Sequence, residues 1–314
     1  MTESSAEIPL AKFEHLKQLD FGLYGRINSI AIRGFLLAVC DAKGIIVVYN
    51  VESEAILLKI AAPDEVLCLE WLDSPSTSSA MSLIFGTKAG QVGYVSHGES
   101  PNIAYVGTNA MAYSIQRISC YSGRNITAVS GGATTQVWSI GSTIESWEKL
   151  SVINCPKPPS INDEHDIVVT GLFWIPSENM LVISYLNHGI WGFAFSAEWQ
   201  CHTQWSIAQE MCTSMTPSLT RDTILIHNPK DGHKLLSIPS GELRAFVKHP
   251  DYTEQFSFPA LFLDKAETVV VIGGLNGKVR LWNASNGKFI QKLEHKDTQT
   301  QIQVLGVSQI LKDP

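Results

Sequence analysis

Asn276-Gly277-Lys278-Val279-Arg280-Leu281-Trp282-Asn283 reads as a tight turn opening onto an alternating strand. Gly277 suits the positive φ that a hairpin turn demands. Val279 and Leu281 alternate with Lys278 and Arg280, so one strand face is apolar and the other solvated. The same unit recurs upstream. Its turn anchors are Gly44, Gly90, Ala133, Gly189, Gly232 and Gly277, at successive spacings of 46, 43, 56, 43 and 45 residues. A period of about 45 residues means one supersecondary unit copied around a ring or along a stack.

Each unit divides into four short strands, a to d, separated by turn residues. The strands a are expected at 27–32, 66–72, 114–120, 167–174, 212–217 and 256–262. Strands b such as Phe35-Leu36-Leu37-Ala38-Val39 and Thr268-Val269-Val270-Val271-Ile272 are almost unbroken apolar runs. That is the pattern of a strand covered on both faces. The strand d at 242–248 alternates instead, as a half-exposed strand should.

This arrangement resembles the Trp-Asp repeat (WD-repeat) β-propeller family, in which a Gly-containing turn joins strand b to a strand c ending in Trp-Asp. Trp282-Asn283 stands closest to that dipeptide, followed by Tyr49-Asn50 and Trp138-Ser139. Val95-Ser96, Ala194-Phe195 and Ser237-Ile238 depart from it. Glu294-His295 is the one remnant of the family's Gly-His element, and its Asp-His-Ser-Trp tetrad cannot be assembled in any repeat. The resemblance spans roughly residues 26–308 and rests on the repeat period more than on letters. It implies an all-β propeller of four-stranded antiparallel blades, stabilised mainly by apolar packing between sheets. Residues 1–25 are then an N-terminal segment, and 26–314 the propeller.

The two ends of the chain bear on the blade count. Residues 10–21 offer one strand before the first repeat, able to close the ring. Ile302-Gln303-Val304-Leu305-Gly306-Val307 looks like strand a of a seventh unit. The seventh b–c turn would fall beyond Pro314. The favoured count is therefore seven blades with an incomplete last one, and the alternative is six. An unpaired edge at that point would invite association or instability.

Composition narrows the function classes. Hydrophobic residues make up 45% and charged residues 17%, a globular balance that suits buried propeller strands. The net charge is −7 with no Lys/Arg block, which disfavours nucleic acid and polybasic membrane binding. No apolar run approaches the roughly 20 residues of a membrane span, and the polar N-terminus has no signal-peptide core. The six cysteines form no Cys-x-x-Cys pair, and Cys40, Cys68 and Cys120 fall in expected strands. Reduced core thiols of that kind fit an intracellular location, cytoplasmic or nuclear.

The spacing of 56 marks an insertion of about eleven residues against the repeat period. It is Asn154-Cys155-Pro156-Lys157-Pro158-Pro159-Ser160-Ile161-Asn162-Asp163-Glu164-His165-Asp166, between the third and fourth units. In the family, d–a loops lie on the usual partner-binding rim, and long loops often carry function. Pro158, Asp163, Glu164 and His165 are thus candidate partner contacts. Trp71 and Trp174, which end strands a, are candidate binding anchors. Consecutive acidic residues seldom converge on one ion, so the insertion reads as a solvated loop and no metal is expected. Ser96-His97-Gly98-Glu99-Ser100 lacks the strand-to-helix context of a nucleophile elbow, and no phosphate-cradling loop is present. No catalytic residue and no cofactor is expected. The reading is a non-catalytic scaffold that binds a protein or peptide on the loop rim. A propeller hydrolase with a central-channel site and a structural subunit of a multiprotein complex are the alternatives.

Overall fold

The computed structural model describes residues 18–72, 81–97, 101–104, 111–121, 123–141, 146–156, 167–208, 211–248, 257–264, 266–294, 302 and 304–306. Six four-stranded antiparallel sheets follow one another along the chain. Blade 1 is β1 (Ile27–Arg33), β2 (Leu36–Asp41), β3 (Ile45–Asn50) and β4 (Ala55–Ala61). Blade 2 is β5 (Val66–Trp71), β6 (Met81–Thr87), β7 (Val92–His97) and β8 (Pro101–Ala104). Blade 3 is β9 (Arg117–Tyr121), β10 (Ile126–Gly131), β11 (Thr134–Ser139) and β12 (Glu148–Asn154). Blade 4 is β13 (Val169–Ile175), β14 (Met180–Tyr185), β15 (Gly189–Phe195) and β16 (Cys201–Ile207). Blade 5 is β17 (Ser214–Pro217), β18 (Thr223–Asn228), β19 (Gly232–Ser237) and β20 (Leu243–Val247). Blade 6 is β21 (Ala260–Phe262), β22 (Val269–Gly273), β23 (Lys278–Asn283) and β24 (Phe289–Glu294).

The first strand of each blade touches the first strand of the next, so these strands line the centre of a β-propeller. Every residue of β10, β14, β18 and β22 is buried, as expected of strands sandwiched between sheets. Each fully buried Val, Leu or Ile contributes about 1.5–3 kcal/mol of transfer free energy. The outer strand β20 keeps only Ala245 and Val247 inside. A register irregularity recurs at the same place in the third-to-fourth strand ladder of five blades, at Val48/Tyr49, Val137/Trp138, Gly192/Phe193, Leu235/Leu236 and Leu281/Trp282. The repeat therefore persists in backbone geometry where its letters have diverged.

Five apolar cores join consecutive blades. Ala38, Val48 and Ile60 meet Leu69, Trp71 and Leu83 between blades 1 and 2. Ile84 and Val92 meet Ile118 and Val129 between blades 2 and 3. Between blades 3 and 4 the core centres on Trp174, whose ring lies 5.0 Å from Tyr121 and 5.4 Å from Phe195. Val182 and Ile190 face Ile224 and Leu236 between blades 4 and 5, and Leu225 and Leu235 face Val270 and Trp282 between blades 5 and 6.

The b–c turns explain the periodic glycines. Asn276 and Gly277 both have positive φ, 57° and 63°, the pair of left-handed residues that a type I′ hairpin loop needs. At Gly44 (φ 79°) a Cβ would also lie 2.5 Å from the Asp64 carbonyl, because the chain leaving β4 folds over the turn. The third turn corrects the sequence reading: Gly132 (φ 57°), not Ala133, takes the left-handed position. The loop between the paired residues Gly131 and Thr134 has only two residues, and its first one needs the positive φ.

Two further expectations are corrected. Strands a start later than expected in blades 3 to 6, at Arg117, Val169, Ser214 and Ala260. The apolar residues just ahead of two of them bond to the preceding blade instead: Ile115 N–H donates to the Thr87 carbonyl (3.0 Å) and Cys212 N–H to the Leu186 carbonyl (2.8 Å). Among the described residues the blades number six, the alternative reading, and a seventh is not found. Among the described residues, those after Glu294 form no ladder. Ile302 N–H nonetheless donates to the Gly274 carbonyl (3.0 Å) of blade 6, repeating the Ile115 bond to blade 2 and the Cys212 bond to blade 4. Leu305 packs on the Val269, Val271 and Leu281 face of blade 6. A Cβ on Gly306 would lie 2.9 Å from Ile32 Cδ1 of blade 1. Ile302, Leu305 and Gly306 thus bridge blade 6 to blade 1. Of the closing-strand expectation for 10–21, residues 10–17 lie outside the described residues, and 18–21 are not strand. Phe21 itself packs edge-on against Tyr49 at 5.3 Å, and Lys59 Nζ donates to its carbonyl at 3.2 Å.

Candidate functional site

The inner strands begin around one end of the central channel, and there the chain forms a cavity of about 340 Å³. Arg26 and Asn28 reach it from blade 1, Leu67 from blade 2, Gln116 and Arg117 from blade 3, Val169 and Thr170 from blade 4, and Thr213 from the approach to blade 5. The lining contains two guanidinium groups and no carboxylate, imidazole or thiol.

Arg117 opens β9, where the backbone leaves the inter-blade connector and turns along the channel. Its Nε donates to the Thr170 carbonyl (3.1 Å) and its Nη1 to the Gln116 carbonyl (2.7 Å). Gln116 returns the link, its Oε1 accepting from Val169 N–H at 2.7 Å. Blades 3 and 4 are thereby stapled at the mouth. Burial lowers the Arg117 pKa; the neighbours that oppose this are the thiols of Cys68 and Cys212. Burial in turn pushes those thiols up to about 12 and about 11, so both are neutral at pH 7. Among the described residues Arg117 has no carboxylate partner.

Arg26 is the more exposed cation, with its side chain 64% accessible. Its Nε donates to Asn28 Oδ1 (3.2 Å), and Asn28 Nδ2 donates to the Val66 carbonyl (2.9 Å) and to Glu65 Oε1 (3.1 Å). Glu65 also pairs with Lys88 at 2.9 Å and with Arg26 at 4.0 Å. Hydrogen bonds from Lys88 first, then from Asn28, hold the Glu65 carboxyl below the usual carboxylate range. The carboxylate nearest the rim is therefore already engaged.

The opposite end of the channel is closed differently. Arg221, in the left-handed region at φ 65°, lies over the Phe173 ring at 5.4 Å. Burial lowers its pKa, and Glu70 of blade 2 counters this through space.

Of the candidate contacts from the sequence, the two that are described, Trp71 and Trp174, lie within inter-blade cores. Trp71 is 7% exposed within the blade 1–2 core. Trp174 is 1% exposed, and its Nε1 donates to the Ser119 carbonyl at 3.1 Å. Neither indole is offered to solvent. Pro158, Asp163, Glu164 and His165 lie outside the described residues. Among the described residues no three His, Cys, Asp or Glu side chains come together as a metal site. Buried His227 and His233 stack at 4.5 Å, with Thr213 Oγ1 2.7 Å from His227 Nδ1, behind the mouth rather than in its lining.

Sequence reasoning missed Arg26 and Arg117. The signal available was Arg117 inside an expected inner strand, a charge where an apolar residue belongs. The chain matches no protein-family model and no curated protein.

Proposed function

We propose that this chain is a non-catalytic interaction scaffold of the WD-repeat kind, which binds a protein or peptide on the face where the inner strands begin. The observation that carries this is the pairing of a rigid ring with an open polar mouth. Connections leaving the fourth strands lie over the b–c turns on that face, through Ala62 N–H to the Gly44 carbonyl (2.8 Å) and Cys155 N–H to the Ala133 carbonyl (2.7 Å). The insertion of 154–166 leaves β12 on that face at Asn154, and its residues 157–166 lie outside the described ones. Preorganised loops on a stiff frame lower the entropic cost of association. The fold alone carries no activity, so the argument rests on the site. A channel hydrolase needs an acid–base pair at the mouth, and the described lining supplies two cations instead. The reading includes an intracellular location, consistent with six free cysteines.

Affinity purification of the full-length protein with mass spectrometry tests the scaffold. The expected result is a reproducible set of partners that weakens on deletion of 157–166 or on substitution at Arg26. A protein that returns no partner in any cellular extract contradicts it.

A second reading, a subunit of a larger assembly, is favoured by one observation: among the described residues, the contact between blades 6 and 1 runs through Leu305 on blade 6 and Gly306 against Ile30 and Ile32 of blade 1. Light scattering on purified protein decides it, since a stable monomer with no tendency to associate speaks against this reading.

A further inference from the structure

We propose that the channel mouth is an oxyanion receptor, built to take the carboxylate of an acidic peptide side chain onto Arg117 with Arg26 at its rim. This deepens the scaffold reading above and rests on it. A guanidinium enclosed by protein carries a desolvation cost that an anion normally offsets. Arg117 has none: its described partners are two backbone carbonyls, and the nearby thiols of Cys68 and Cys212 are neutral. An arginine has five N–H donors, and the Thr170 and Gln116 carbonyls take one each. The side chain is partly accessible, and the surface it shows lines the 340 Å³ cavity. That space holds one side chain and its carboxylate, not a folded domain. Arg26 stands across the opening with its side chain 64% accessible. Glu65, the acidic group beside it, is shared between Lys88 at 2.9 Å, Asn28 and the more distant Arg26 at 4.0 Å, so one carboxylate faces several cations at the rim. The amide of Gln116 and the hydroxyls of Thr170 and Thr213 complete a polar wall. A chain of net charge −7 that places Arg117, without a carboxylate partner, beside the exposed Arg26 at one opening selects an acidic ligand locally while repelling acidic surfaces elsewhere.

The probe is a random heptapeptide display library selected on the full-length protein, followed by titration of the enriched peptides. The expected result is Asp or Glu enriched at one fixed position, with affinity falling at least tenfold when that residue becomes its amide. The Arg117→Gln variant should lose the same tenfold, and Arg117→Lys should keep part of it. Arg117 also joins two blades, so Arg26→Gln serves as the second variant: it should fold normally and weaken binding several-fold. Peptides that bind equally well with Asn or Gln at the selected position, or that ignore both arginine variants, overturn the receptor while leaving the scaffold standing. A library that yields no binder at all removes both. Binding of inorganic phosphate with no response to carboxylate peptides would assign the mouth to a free phosphate and overturn the proposal. Acidic peptides that bind only after Asp163, Glu164 and Asp166 are changed to amides would assign the site to the chain's own insertion, and would overturn it equally.

Discussion

The junction between blades 3 and 4 and the junction between blades 6 and 1 do the same geometric job with different material. At the first, two sheets face each other over a core that includes Trp174, Tyr121, Phe195 and Val137. At the second, blade 6 presents a smaller face of Val269, Val271 and Leu281 that Leu305 covers, and among the described residues Gly306 supplies the contact to Ile30 and Ile32. The backbone bond at the second junction also occurs between complete blades, since Ile302 repeats what Ile115 does between blades 2 and 3 and Cys212 between blades 4 and 5. What differs is the apolar area brought together after that bond is made. A repeat ring is roughly a sum of nearest-neighbour interfaces. Its stability should therefore be uneven around the circumference, with the weakest link at the junction closed by a short segment.

The sharpest way to break this comparison is to damage the strong junction. Trp174→Ala leaves a cavity in the blade 3–4 core and removes the donor to the Ser119 carbonyl. It should cost about 3–5 kcal/mol in denaturant unfolding. A loss of less than about 1 kcal/mol would mean that the core is looser than its packing implies. A smaller effect is expected at the turns. Gly90→Ala places a Cβ against the carbonyls of Met111 and Tyr113 at a φ of 81°. About 1–3 kcal/mol should be lost, whereas Gly34→Ala, at φ 55° with open space around it, should lose only about 1 kcal/mol.

Ile302→Ala removes a partly buried side chain seated against Gly273. Its expected cost of about 1–2 kcal/mol is below that of Trp174→Ala. If the two were equal, the junctions would not differ in the way described.

The smallest effect belongs to Glu65. Its folded pKa is depressed, so its contribution is present above the ordinary carboxylate pKa and is lost as pH falls through the lower, folded value. Glu65→Gln should lower thermal stability slightly near neutral pH. It should merge with the wild type below the folded pKa, with the gap closing in between. A gap that widens in acid would reverse the sign of this assignment.

Much of the fold was legible because two patterns are local. Strands such as β10, β14, β18 and β22 announce themselves as apolar runs, and the b–c turns as Gly at a fixed period. The third turn was misread by one residue because Gly132-Ala133 can be framed in two ways until the loop length is known. Inner-strand starts were overextended because Ile115 and Cys212 are as apolar as strand residues but pair with the neighbouring blade, a non-local fact. Seven blades were expected from the strand-like letters of 302–307. Those letters do describe a place beside blade 6, but a blade also needs partner strands. The site was hardly legible at all. Trp71 and Trp174 drew attention by residue type and turned out to serve the cores. Arg26, Gln116 and Arg117 are scattered along the sequence, and only closure of the ring brings them to one mouth.

Hydrogen exchange of the full-length chain against a chain truncated after Glu294 tests the central contrast most directly. Protection should fall in β1, β2 and β22, which border the last junction, and stay unchanged in β10 and β14, which border the Trp174 core. Equal loss in all six blades, or no loss beside 302–306, would contradict a ring whose weakest junction is held by its C-terminal segment.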